Sequence, residues 1–233
     1  MLTSRAHAAA AAERLRRDGW AIVPSFLPAA EAAAARAEAL DLYHGGAFAA
    51  AAAAAPADES ARGDAVTWLR ASAPPAGPGL AAALSRLEAL RRELGRVLQL
   101  HADVAPELQL AVYAPGGAAY ARHRDAFPEA AAPPGGGAGQ RRVTAVLYVN
   151  DPAWDCGDAG GALRLHVPPP PPEEEAGGDD SQHARGGAVL PGAAYVDVAP
   201  RGGTLVLFLS GAVDHEVMPS RHDHRVALTS WMR

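Results

Sequence analysis

Lysine is missing from the 233-residue chain, so all 21 basic residues are arginine, and Ile22 is the only isoleucine. Against 26 acidic residues the net charge is −5. No global basic field therefore points to nucleic acid or to an anionic membrane as a partner. Cys156 stands alone, which excludes an intrachain disulfide and a cysteine-built zinc site. A single thiol suits a reducing compartment, and a cytoplasmic location is the expectation. No apolar run reaches the length of a membrane-spanning helix, so no membrane partner is expected. Arg5, Arg14, Arg16 and Arg17, with Glu13 the first acidic residue, have a faint transit-peptide character. An amphipathic first helix accounts for them better.

Alanine, glycine and proline are abundant instead. Such uniformity looks like compositional pressure on the coding sequence, so alanine runs carry little structural weight. The length suits one domain able to bury roughly 70–75% of its unfolded surface. Residues 5–18 read as a helix closed by Gly19, followed by a short strand over 20–24 and a second helix running to about Leu42 and breaking at Gly45-Gly46. The alanine tract 48–55 is either helical or a product of drift. Arg62-Gly63-Asp64 reads as a turn before a strand over 65–69. Residues 79–99 form the clearest helix, with Leu80, Leu84, Leu87, Leu90 and Leu94 on one stripe.

From about residue 107 the texture changes to short β-type runs: 107–113, 119–125, 142–149, 161–167, 194–198, 203–209, 214–218 and 224–231. Strands without intervening helices predict an antiparallel sandwich or barrel. With helices first, to about 103, and strands from about 104, the class is α+β, the helices buttressing one face. Two segments, 128–140 and 168–193, read as mobile Pro/Gly-rich loops. Their functional alternatives are a substrate-covering lid and a partner-binding polyproline stretch.

Chemistry concentrates at Tyr120-Ala121-Arg122-His123-Arg124-Asp125. If this stretch is extended, its period of two points His123 and Asp125 to the same face. With His215 as third ligand they would form the two-histidine, one-carboxylate facial triad of non-haem Fe(II) oxygenases, which leaves positions open. The plain alternative is a hydrogen-bonded strand pair. His222 and His224 compete with His215 but sit in what reads as an exposed turn, while His44, His101 and His166 read as structural or surface residues. Alternation sets Thr144, Val146 and Tyr148 on one face of their strand, and Arg225, Ala227, Thr229 and Trp231 on one face of the last. A buried arginine needs an anion. Arg225 could therefore fork onto a carboxylate of a bound acid, with Tyr148 and Thr229 as further donors. Alternatively it pairs with Asp214 or Asp223, and Tyr113 and Tyr148 are core aromatics. Cys156 reads as a spectator thiol.

These blocks, taken in order, resemble the 2-oxoglutarate- and Fe(II)-dependent oxygenases, in particular the prolyl 4-hydroxylases of the hypoxia-inducible-factor type. The resemblance runs through Arg62 to Trp68, Tyr113-Ala114-Pro115-Gly116, Tyr120 to Asp125, Val143 to Asn150, Gly160 to Arg164 and His215 to Trp231. It implies a double-stranded β-helix (jelly roll) core, iron bound by His123, Asp125 and His215, and Arg225 on the distal carboxylate of 2-oxoglutarate with help from Tyr148 and Thr229. It further implies that Tyr113 and Leu163 line the cosubstrate and substrate region. Fe(II), 2-oxoglutarate, O2 and ascorbate would be the cofactors, and succinate and CO2 the coproducts. The implied activity is prolyl 4-hydroxylation of a protein or peptide containing proline. Hydroxylation of a small molecule and an inactive binding module are the rivals. Related halogenases leave out the carboxylate ligand so that chloride can bind, so Asp125 favours hydroxylation. The chain departs from that group in a loop between His215 and Arg225 that looks one residue longer, and in the longer insertion 168–193. Both departures bear on the substrate and not on the cosubstrate.

Overall fold

The computed structural model describes residues 2–51, 62–70, 77–101, 103–128, 140–167, 187–188 and 195–233. The helical part holds α1 (Leu2–Asp18), β1 (Trp20–Val23), α2 (Ala29–His44), β2 (Ala49–Ala50), β3 (Ala65–Leu69) and α3 (Pro78–Leu98). After it come β4 (Glu107–Tyr113), β5 (Ala118–His123), β6 (Val143–Tyr148), α4 (Cys156–Ala159) and β7 (Leu163–His166). The chain ends with β8 (Gly187–Ala188), β9 (Val196–Val198), β10 (Leu205–Leu209), β11 (Asp214–Ser220) and β12 (Arg225–Met232). A seven-stranded sheet has the order β1-β10-β6-β12-β4-β3-β2, and a five-stranded sheet the order β5-β11-β7-β9-β8. All pairings are antiparallel, and the two sheets form a jelly-roll core. No helix among the described residues is long and apolar enough to cross a membrane.

Strand alternation divides the larger sheet into two faces. Val143, Ala145 and Leu147 of β6 and Val226 and Leu228 of β12 join the Leu80, Leu87, Leu90 and Leu94 stripe of α3 in one aliphatic core. Val146 and Tyr148 of β6 and Ala227 of β12 instead meet Leu163, Val196 and Val217 of the smaller sheet. The leucine stripe and both strand parities therefore hold as the sequence predicts.

Two expectations need correcting. Ala49 and Ala50 pair with Val66 and Ala65 as a strand, so the start of the alanine tract is not helical; its remainder lies outside the described residues. Alanine also matters more than compositional drift suggests. Ala32, Ala35 and Ala39 are buried on α2. A Cβ on Gly79 would stand 2.3 Å from the Ala35 nitrogen, so only small side chains let α2 and α3 approach this closely. Glu38 of α2 then accepts the free amides of Gly79 and Leu80, each at 2.7 Å, and caps α3.

Candidate functional site

Antiparallel pairing of β5 with β11 sets His123 directly opposite His215. β5 ends at His123, so Asp125 lies in the bend beyond the strand and not on its face as the extended reading assumed. The Ala126 amide, donating to the Ser210 carbonyl at 3.1 Å, turns the chain there. His123 Nε2 stands 3.6 Å from Asp125 Oδ1, and His215 Nε2 stands 3.8 Å from Asp125 Oδ2. One ligand atom from each of the three lies within 4.8 Å of the others. An ion about 2.0–2.2 Å from nitrogen and oxygen ligands can bridge such separations.

The ring orientations suit that role. His123 Nδ1 contacts the Ala121 carbonyl at 2.9 Å, and His215 Nδ1 contacts that of Val213 at 3.4 Å. With Nδ1–H as the donor, each Nε2 lone pair faces Asp125. Burial pushes the His215 pKa down to about 4, against the pull of Asp125, and also lowers that of His123. Both imidazoles are therefore neutral near pH 7, as metal ligation requires. Burial pushes Asp125 upward, but His215 and hydrogen bonds from Trp231 and Thr144 outweigh it and leave the pKa low. Both donors reach the same oxygen, Trp231 Nε1 at 2.8 Å and Thr144 Oγ1 at 2.7 Å from Oδ2. Tyr120 stacks on His123 at 3.7 Å, and the Arg62 guanidinium lies 4.4 Å from the Tyr120 ring centre.

Across the cavity Arg225 is 1% exposed. Its Nε donates to the Gly161 carbonyl at 2.7 Å, and its Nη2 to Tyr148 Oη at 3.3 Å. Gly161 has φ +71°, and a Cβ there would stand 3.1 Å from Arg225 Cδ, so glycine permits the approach. No carboxylate among the described residues pairs with Arg225: Asp214 is bound by Arg122 and Arg124, and Asp223 by Arg36. That rules out the two internal salt bridges and leaves a buried cation facing a cavity. Tyr113, Val146, Leu163, Ala227 and Thr229 line the wall between Arg225 and the three ligands. Tyr148 reaches Arg225 from behind this wall. Thr229 lines the cavity without a hydrogen bond to the guanidinium among the described contacts.

The competing histidines lie elsewhere. His222 is exposed and 3.8 Å from Asp158, while His224 packs against Tyr43 and His44. His166 meets Glu216 at 3.1 Å, and His101 is exposed. Cys156 opens α4, where burial raises its pKa and keeps the thiol protonated. Of the two loops, 129–139 and most of 168–193 lie outside the described residues. Sequence reasoning missed the role of Trp231 and Thr144 on Asp125, although alternation placed both on the inner face. It also missed the Arg62 fork onto buried Asp64, at 2.6 and 2.9 Å, which holds Arg62 at the cavity wall.

Residues 108–233 match the family described as the 2OG-Fe(II) oxygenase superfamily. Among solved structures, a Pseudomonas putida prolyl-4-hydroxylase is 30% identical over 97% of this chain and 98% of its own, with a TM-score of 0.70. A Trichoplax adhaerens prolyl hydroxylase, in complex with a hypoxia inducible factor oxygen degradation domain peptide fragment, is 23% identical. It covers 99% of this chain and 90% of its own, at a TM-score of 0.72. The epimerase SnoN, solved with Fe3+, alpha ketoglutarate and nogalamycin RO, is 19% identical over 97% and 82% of the two chains, at 0.59. The last two likenesses support the fold alone.

Proposed function

The chain belongs to the 2OG-Fe(II) oxygenase superfamily, and from that membership we propose that it hydroxylates proline at C4 in a protein or peptide. The coarser statement stands by itself: this is a dioxygenase using Fe(II), 2-oxoglutarate and O2, with ascorbate as reductant. The observation that carries the proline assignment is the 30% identity to a prolyl-4-hydroxylase along nearly the full length of both chains.

The donor set fits the metal. Two neutral imidazoles and one carboxylate converge from β5, the following bend and β11, and suit Fe(II) with positions left open. His123, Asp125 and His215 would hold it. Bound there, Fe(II) would supply the redox chemistry for O2 activation, in which 2-oxoglutarate would serve as the two-electron reductant and leave as succinate and CO2 while one oxygen enters the substrate. The remaining work belongs to the protein. Arg225, buried with no carboxylate partner among the described residues, takes the distal carboxylate of 2-oxoglutarate. Gly161 fixes its Nε, and Tyr148 Oη, accepting from Nη2, orients the guanidinium from behind. Val146, Leu163 and Ala227 keep the wall apolar, which strengthens the charge pairing inside. Arg62 and Trp68 stand at the opening, where the substrate would pass.

A proline-containing peptide library, incubated with the enzyme, Fe(II), 2-oxoglutarate and ascorbate and read by mass spectrometry, tests the assignment. The expected result is the gain of one oxygen on proline with stoichiometric succinate. Succinate released only with a small-molecule extract, and no peptide modified, would overturn the peptide reading.

A further inference from the structure

Gln109 is 4% exposed and sits on the cavity wall, yet only one atom of its amide is engaged. Cross-strand pairing sets it in one row of the larger sheet, between Trp68 of β3 and Thr229 of β12. Trp68 is 53% exposed at the opening, whereas Thr229 lies on the wall that leads to Arg225. Gln109 therefore stands where the opening meets the interior. Its Oε1 accepts from Arg62 Nη2 at 3.1 Å. A guanidinium only donates, so the oxygen must be the atom turned to Arg62, and the amide cannot flip. Arg62 is itself held by its fork onto Asp64, which is 4% exposed. What remains is Nε2, an N–H2 donor with no partner among the described residues and the cavity beside it.

A donor left unpaired in a buried wall is costly, and the acceptors around it are taken. Both oxygens of Asp64 and Oε1 of Gln109 accept from Arg62. Asp125 Oδ2 accepts from Thr144 and Trp231, and Oδ1 faces His123 across the metal site. Whatever enters past Trp68 thus meets a fixed donor and no spare carboxylate or amide oxygen.

We propose that Gln109 is a specificity-determining residue whose Nε2 donates to a substrate carbonyl, that of the amide at the nitrogen of the residue to be hydroxylated. This assignment rests on the proposed peptide hydroxylation for what enters the cavity. An ordinary residue brings an N–H together with that carbonyl, and here the N–H would be left without an acceptor. Proline brings the carbonyl alone, because its nitrogen carries a ring carbon in place of the proton. A donor without a free acceptor therefore favours an N-alkylated residue by its backbone, whatever its neighbours in sequence.

The test uses the full chain loaded with Mn(II) and an inert 2-oxoglutarate analogue, so that binding is read without turnover. The probe is a short fluorescein-labelled peptide with a central alanyl-proline. Its twin carries sulfur in place of the carbonyl oxygen before the proline. Sulfur accepts hydrogen bonds more weakly, so the parent should bind the twin about three- to tenfold less tightly. Gln109→Met keeps the length of the side chain and loses the donor. It should bind both peptides alike, as weakly as the parent binds the twin, with its affinity for 2-oxoglutarate unchanged. Gln109→Glu keeps an oxygen for Arg62 but no N–H2, and should weaken the peptide as well. If Gln109 merely positioned Arg62, Gln109→Glu would behave as the parent. That outcome would overturn the proposal, as would equal binding of the twins by the parent, or no binding of either. So would a loss of 2-oxoglutarate affinity in Gln109→Met with peptide affinity intact. Gln109-dependent binding with no oxygen gained on proline under Fe(II), 2-oxoglutarate and O2 would sink the hydroxylation reading alone. Oxygen gain on proline that is indifferent to Gln109→Met would remove Gln109 and leave the hydroxylation standing.

Discussion

The two faces of β12 share one backbone and differ in everything else. Towards the helices it presents Val226, Leu228 and Met232, all within 1% of full burial in an aliphatic core. Towards the smaller sheet it presents Arg225, Ala227, Thr229 and Trp231, all on the wall of the cavity. β6 repeats the division, with Val143, Ala145 and Leu147 outward and Thr144, Val146 and Tyr148 inward. The outer face excludes water and holds the sheet to α3. The inner face buries a guanidinium and hydroxyls that are costly to bury without partners. The sheet thus assigns stability to one parity and chemistry to the other, and substitutions should separate along that line.

The sharpest break is expected on the inner side. His215→Ala should bring metal-dependent 2-oxoglutarate turnover to background while leaving the thermal unfolding midpoint near that of the parent, whereas His222→Ala and His224→Ala should keep activity. Full turnover in His215→Ala would remove it from the metal centre. On the outer side Leu228→Ala should cost about 2–5 kcal/mol in denaturant unfolding, through lost burial and a cavity. The fraction still folded should show an unchanged KM for 2-oxoglutarate. A changed KM with intact stability would mean that the faces are not separate. Trp231→Phe is subtler, since the ring remains and only the Nε1 donor to Asp125 is lost. Metal affinity should fall about tenfold by anaerobic titration, with little change in the unfolding midpoint.

The smallest effect is at the mouth. The hydrogen bond from Arg141, against the opposing effect of burial and with help from Arg233, holds the Glu107 pKa below its usual range. A lowered carboxylate pKa contributes stability above the unfolded value, about 4.3. That contribution disappears as the pH falls through the folded value. Glu107→Gln should therefore flatten the acid limb of a stability-versus-pH curve only below about pH 4.3, and slightly, because the pair is partly exposed. An unchanged acid limb would show that the pair adds nothing.

Much of this arrangement was legible in the sequence. Alternation is local, so β6 and β12 declared their inner residues, and the spacing of His123 and Asp125 suggested a ligand pair before any fold was known. What alternation could not give was distance. Asp125 reaches the site from a bend, and its two donors come from β6 and β12, far along the chain. Two ion-pair clusters were hidden for the same reason. Arg122 and Arg124 visibly bracket His123, but their shared Asp214 lies on β11, and Glu107, Arg141 and Arg233 meet only after folding. The alanines of α2 misled in the opposite sense. A biased composition masks the positions where a small side chain is required, and only the close approach of Gly79 to Ala35 reveals them.

The most direct test of the account is a calorimetric titration of 2-oxoglutarate into Mn(II)-loaded parent and Arg225→Met enzymes without oxygen. Charge-assisted bonds are worth about 1.5–3 kcal/mol each, so the variant should bind 2-oxoglutarate at least about tenfold more weakly. Arg225→Lys should fall between the two. Mn(II) affinity measured without 2-oxoglutarate should be unchanged, because Arg225 is not a ligand. Parent-like 2-oxoglutarate affinity in Arg225→Met would contradict the account and place the carboxylate elsewhere.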